Sequence, residues 1–382
     1  MNNKRKNNWE SLKSSNQLHR RGREDWVSPR GGKIGANEVS DVRNRRCLRS
    51  GAKRARGERQ NEILGKRSDI VVIGGGTGCF TVLSGLKKYP VQLSAIVSMA
   101  DSGGSTRILR EEFGILPPGD VRKALIALSR SEKGLSNLFA YRFNEGNGLS
   151  GHSFGNLLIT ALERIKGSFE EAIEEAGKIL NIKGKVIPVT LQNTNLYAIL
   201  EDGQIIEGET NIDVPKHNPN LKIKKVYLKP QVRANKRAKS AILKADLIII
   251  GPGDLYSSVI PNLLVKGIPE IIRKSKAKKV YICNLMTKLG ETNNFKDLDF
   301  VKEIEKYLGG KFLDYVIFNN RKPSVARVAK YEKGGAAFVK CNRESFKGNR
   351  LKIIKGNFLR KKGFVRHDPN KLAKTLFKLL SP

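Results

Sequence analysis

Asp69-Ile70-Val71-Val72-Ile73-Gly74-Gly75-Gly76-Thr77-Gly78 is the stretch that decides the fold. Its β-branched apolar run reads as a strand buried on both faces, as in a parallel sheet. The run empties into glycines, which let backbone N–H groups approach and wrap a phosphate. Helical spacing over 79–89 puts those glycines at a helix N-terminus, where the dipole favours an anion. A nucleotide-type ligand is therefore the leading expectation. The loop spells G-x-G-x-G, and Cys79 stands where a dinucleotide fingerprint carries its third glycine, so a plain strand-to-helix turn competes with that reading.

Outward from this stretch the apolar pattern alternates. Strands are predicted over 92–99, 246–250, 279–284 and 315–318. A helix is predicted from Gly119 to about Arg130 with Asp120 as its N-cap. Further helices are predicted over 156–165 and 168–180, the second acidic at its start. A hairpin is predicted over 197–212, turning at Asp202-Gly203. Strands and helices in alternation imply an α/β fold, a mainly parallel sheet with helices on both faces.

The 382 residues suffice for one large α/β domain, assigned to 67–382. No apolar run approaches the roughly 20 residues of a membrane helix, and the first residues are too polar for a signal peptide. Cys47, Cys79, Cys283 and Cys341 are dispersed, which disfavours a disulfide framework or zinc site and fits a reducing, cytoplasmic setting. The net charge of +36 suggests nucleic acid at first sight. It is spread along the chain without interleaved aromatics, so a solvated basic surface is preferred and no specific nucleic-acid binding is expected. Residues 1–66 carry 18 Lys+Arg against 7 Asp+Glu and lack apolar periodicity. That composition predicts a disordered basic tail. It either meets an acidic partner or is sequence not native to the protein, since no Met lies between Met1 and Met99.

Four polar, glycine-bearing loops follow predicted strands or open predicted helices, and such loops converge on one crevice in a parallel sheet. The first holds Gly75, Gly76, Thr77 and Gly78. The second, Asp101-Ser102-Gly103-Gly104-Ser105-Thr106, can form an anion nest, with Asp101 as a candidate for a ribose hydroxyl or a magnesium ion. The third, Gly151-His152-Ser153-Phe154-Gly155-Asn156, offers His152 for phosphate binding or proton transfer. Its bland alternative is a helix cap on Ser153. The fourth, Gly251-Pro252-Gly253-Asp254-Leu255-Tyr256-Ser257-Ser258, offers Tyr256 to stack on a base, or simply a tyrosine at the core edge.

The same residues carry a family resemblance. GGGTG, PPGD (117–120) followed by Arg122, LSGHSFGN (149–156), ADLIIIGPGDLYSSVIPNLL (245–264) and KVYICNLMTKLGET (279–292) resemble the YvcK-type gluconeogenesis factors, in the superfamily of the phospholactate transferase CofD. The resemblance runs from about Asp69 to the last helix and implies a Rossmann-like three-layer doubly wound sheet with a small β-hairpin insertion. It also implies cytoplasmic location, binding of UDP-sugars such as UDP-N-acetylglucosamine, and a role in cell shape and wall synthesis on gluconeogenic carbon. The transferase relatives use magnesium to move a phospholactyl-type group from a guanosine diphosphate donor. Two positions depart from the family's pattern: Ser102 stands for a second Asp and Arg107 for a Gly. The first weakens the case for a metal, and the second adds a cation for phosphate.

The leading expectation is a nucleotide-sugar-binding regulator, compatible with a homo-oligomer and without membrane insertion. The loops at 75–78 and 101–106 are assigned to the diphosphate. Asp120, Arg122, Ser153, Asn156, Gly251, Gly253, Ser257, Asn284 and Thr287 are assigned to the rest of the pocket. The alternative is a magnesium-dependent transferase with Asp101 as metal ligand and Asp101 and His152 as catalytic candidates.

Overall fold

The computed structural model describes residues 67–348 and 350–380. The expectation for the basic segment 1–66 lies outside the described residues. Among the described residues, ten strands occur: β1 (Asp69–Gly74), β2 (Gln92–Val97), β3 (Lys185–Pro188), β4 (Asn195–Leu200), β5 (Ile205–Glu207), β6 (Ile223–Lys229), β7 (Leu247–Ile250), β8 (Lys278–Ile282), β9 (Tyr315–Asn319) and β10 (Lys352–Gly356). Seven of them form a sheet ordered β10-β9-β8-β7-β1-β2-β3, parallel at every pairing. The fold is the expected three-layer, doubly wound α/β architecture.

β1 sits inside the sheet between β2 and β7, with Val72 and Ile73 fully buried. From β1 the chain moves outward to β2 and β3, then returns to β7 and moves outward the other way. Right-handed crossovers in opposite directions place their helices on opposite faces. Helix Gly76–Leu86 follows β1 and packs on helices Pro118–Leu128 and Pro369–Lys378. Helices Ile260–Leu263 and Ile268–Lys274 follow β7 and pack with Asp297–Leu308. The order reverses between β1 and β7, and the loops after these two strands face each other across that switch point.

The expected hairpin is β4–β5, joined by β6 into a separate antiparallel sheet ordered β5-β4-β6. Its second half is shorter than expected, because the short helix Glu209–Asp213 takes over after Glu207. Helix Pro118–Leu128 begins at a proline, so Asp120 lies inside its first turn, and Pro117 rather than Asp120 is the N-cap residue. Among the described residues, no helix is long and apolar enough to cross a membrane.

Candidate functional site

A cleft of about 740 Å³ opens at the carboxyl ends of β1, β7 and β8. One wall is the glycine loop 75–78 with Pro252–Asp254 pressed against it. The facing wall runs through 284–289 and is completed by Lys330, Tyr331 and the segment 365–367. A Cβ on Gly78 would fall 2.0 Å from the Pro252 carbonyl oxygen, so only glycine lets the first helix approach the opposing loop this closely. Gly76 has φ +60°, a left-handed conformation. Its N–H donates to Asp120 Oδ1 at 3.0 Å, and Lys123 Nζ donates to the same oxygen at 3.0 Å. The Gly76 amide assigned to a phosphate is therefore held by the protein's own carboxylate. Asp120 lies in the first turn of its helix, where negative charge is favoured, and it raises the Lys123 ammonium above its ordinary pKa.

The loop 101–106 closes on itself. Asp101 Oδ1 accepts from Gly103 N–H and Oδ2 from the Thr106 hydroxyl, each at 2.9 Å. A Cβ at Gly119 would lie 2.2 Å from Asp101 Oδ2, so the carboxylate is packed against the start of helix Pro118–Leu128 and does not line the cleft. Burial, then the nearby Asp120, raises the Asp101 pKa. Ser102 Oγ accepts from Thr210 N–H at 3.1 Å, tying this loop to helix Glu209–Asp213. Arg107 pairs with Glu111 at 2.9 Å on an exposed face. Glu209 does line the cleft. Burial, with Asp101, Asp213 and Asp120 adding to it, pushes its pKa up to about 8, so at neutral pH it carries a proton and can donate a hydrogen bond.

The third loop forms a buried chain. His152 Nδ1 shares a hydrogen bond with Ser105 Oγ at 3.1 Å, and Asn156 Nδ2 donates to the same Oγ at 3.2 Å. Arg122 Nε in turn donates to Asn156 Oδ1 at 2.9 Å. Ser153 is the N-cap of helix Phe154–Lys166 and accepts from Asn156 N–H. None of these five side chains lines the cleft.

In the fourth loop, Tyr256 is turned inward. Its ring is 1% exposed and packs edge-on against Phe295, centroids 6.4 Å apart, so it presents no flat surface to the cleft. The expectation that it stacks on a base is corrected here: its neighbours in the core, invisible to local sequence, claim the ring. The Tyr256 and Ser257 N–H groups donate to Glu291 Oε2 at 2.9 and 3.3 Å, and Ser257 Oγ donates to Glu291 Oε1 at 2.8 Å. Gly253 lines the cleft, whereas Gly251 (φ +73°) serves the turn behind it. Thr287 lines it while exchanging two 2.7 Å hydrogen bonds with Ala337.

Two residues that line the cleft each bury an atom without a partner. Asn284 Oδ1 and His367 Nε2 are buried and make no hydrogen bond. Burial pushes the His367 imidazole down to about 4, keeping it neutral. They stand beside a small apolar cluster of Leu285, Met286, Val328, Leu359 and Val365. His367, Glu209 and Lys288 are absent from the sequence-based site. The Lys288 and Glu291 spacing inside the quoted KVYICNLMTKLGET motif was a usable signal for the last of these, while His367 had none.

The family model described as 2-phospho-L-lactate transferase CofD matches residues 70–359. The chain belongs to the CofD family. Within it, a gluconeogenesis factor of Bacillus subtilis is 43% identical over 83% of this chain and 99% of its own length. A gluconeogenesis factor of Halalkalibacterium halodurans is 44% identical over 81% of this chain and 96% of its own. A crystal structure of a Bacillus halodurans protein, at 42% identity and a TM-score of 0.78, covers 82% of this chain and all of that one.

Proposed function

We propose that this CofD-family chain is a nucleotide-sugar-binding regulatory factor, with a UDP-N-acetylglucosamine-like ligand and a role in gluconeogenic growth, cell shape and cell-wall synthesis. The names of its relatives support the gluconeogenic link. The observation that carries ligand binding is the pair of partnerless atoms, Asn284 Oδ1 and His367 Nε2, in a cleft at the sheet's switch point. A buried polar atom without a partner costs about 1–3 kcal/mol, which a ligand recovers by supplying one. Asn284 Oδ1 requires an N–H donor, as a nucleobase provides, and the apolar side chains next to it suit a flat ring. The diphosphate would lie across the loop 75–78. There the first-turn amides of Thr77 and Gly78 have no partner within the helix, and Lys123 supplies charge.

The test is calorimetric titration with UDP-sugars, GDP and NAD, with and without magnesium, followed by product analysis after long incubation. A UDP-sugar binds in the micromolar range or better, is released unchanged, and loses little affinity without magnesium. The description of the matched family favours a second reading, magnesium-dependent transfer from a nucleoside diphosphate donor. Cleavage of the nucleotide with magnesium-dependent turnover would establish that reading in place of the first.

A further inference from the structure

Magnesium is the ion that the transferase relatives of this family imply, and two acidic places come into question for it, one behind the cleft and one at its corner. Asp101 is the poorer: it faces its own loop and the helix behind it, with both oxygens hydrogen-bonded. The better is the group Asp213, Asp254 and Glu291, whose oxygens lie within 4.8 Å of one another, a spacing suited to oxygen ligation of a hard cation. That place is filled from within. Lys288 Nζ pairs with Asp213, lies 3.0 Å from Asp254 Oδ2 and lies 3.2 Å from Glu291 Oε1. Two of the ammonium's three N–H donors are hydrogen-bonded, to Asp213 and Asp254, and Glu291 lies within ion-pair distance.

We propose that Lys288 stands in for the divalent cation at this position, so that the acidic corner of the cleft excludes metal and carries a covalently attached counter-ion. The arrangement is self-consistent. Glu291, the most deeply buried of the three acids, also accepts from the Tyr256 and Ser257 N–H groups and from the Ser257 hydroxyl. These donors absorb negative charge that one ammonium leaves unbalanced. Burial opposes a charged Lys288, but Glu291, Asp254 and Asp213 together outweigh it and raise its pKa, so the ammonium persists across the physiological range. A metal ion would have to displace a cation already ion-paired with all three acids. The inference concerns the cation alone and stands whether or not the anionic ligand is a nucleotide sugar.

The experiment is a titration of the full chain with MnCl2 in the absence of nucleotide, with free Mn2+ read by electron paramagnetic resonance. Wild type shows no saturable site at this corner. Lys288→Ser gains one saturable site, roughly tenfold or more tighter than any weak unsaturated binding by wild type, and Lys288→Ser/Asp254→Asn loses it. If Lys288→Ser is unfolded without metal, because three carboxylates then face one another, Mn2+ restores its cooperative melt. The proposal is overturned if wild type holds Mn2+ in a site that Asp254→Asn abolishes. It is equally overturned if folded Lys288→Ser binds Mn2+ no better than wild type, or if an unfolded variant is not rescued by Mn2+.

Discussion

The two walls of the cleft differ in what they leave unsatisfied. On the glycine wall, Gly76 N–H is bonded to Asp120, Lys123 pairs with the same carboxylate, and Gly78 is packed on the Pro252 carbonyl. On the facing wall, Asn284 and His367 each bury an atom that no protein group meets. The glycine motif, the most visible feature of the sequence, thus commits its Gly76 amide and its Gly78 close approach to architecture that joins the two halves of the sheet, and leaves only the first-turn amides of Thr77 and Gly78 open. The less conspicuous wall is where a ligand changes the protein's own energetics.

The largest effect expected from this contrast is on stability. Gly78→Ala puts a methyl group against Pro252 backbone that cannot give way cheaply, and should cost about 3 kcal/mol in urea unfolding. A near-neutral result would mean that the two loops are not in rigid contact.

A smaller effect is expected from pH, on the order of 1–2 kcal/mol between pH 6.5 and 8. Glu209, raised from 4.5 to about 8 by burial first and then by Asp101, Asp213 and Asp120, keeps a proton that the unfolded chain has released. Its contribution is fully present below about pH 4.5 and is lost as pH rises through 8. His367, lowered from 6.5 to about 4 by burial, runs the other way: its contribution is present above 6.5 and lost as pH falls through 4. Between 4.5 and 6.5 the two oppose each other, so the decline above 6.5 is the clean readout. Glu209→Gln should shrink that decline in thermal melts across pH, and an unchanged slope would remove Glu209 as its source.

The smallest effect on the unliganded fold is expected on the facing wall. Asn284→Leu removes a buried acceptor that has no partner, so unliganded stability should not fall and should gain at most about 1 kcal/mol once the strain of fitting leucine is set against the relieved cost, while ligand affinity falls by about 1–3 kcal/mol. A large loss of unliganded stability would show that Asn284 already has a structural task and would erase the contrast between the walls.

What was legible in the sequence follows from where order is local. β1, β2, β7, β8 and β9 are apolar runs, and all were visible. β3 is four residues long, and β10 is a half-buried edge strand with lysine at Lys352 and Lys355, so neither carries a clear period. β6 buries Ile223, Val226 and Leu228 at uneven spacing among exposed lysines, which hides the two-residue period of a strand. Glycine loops announce themselves because few other residues fit them, which is why 75–78 was found. Tyr256 could not be placed, because whether an aromatic faces solvent or Phe295 depends on an element about forty residues away. Glu209, Lys288 and His367 meet only after the two sheets and the C-terminal segment are assembled.

The pairing of β1 with β7 also has a consequence in time. Ile70 aligns with Leu247, so one edge of an interior strand waits for a partner about 180 residues downstream. At roughly 5–20 residues per second of synthesis, that edge stands open for roughly 10–35 s, presenting unpaired backbone and the Ile-Val-Val-Ile side chains. Such an edge is a template for wrong pairing, and pairings this distant in sequence form slowly. The nascent first half therefore has its highest demand for chaperone protection between the emergence of β1 and that of β7. The cleft, which is built across that same seam, comes into being only when the seam closes.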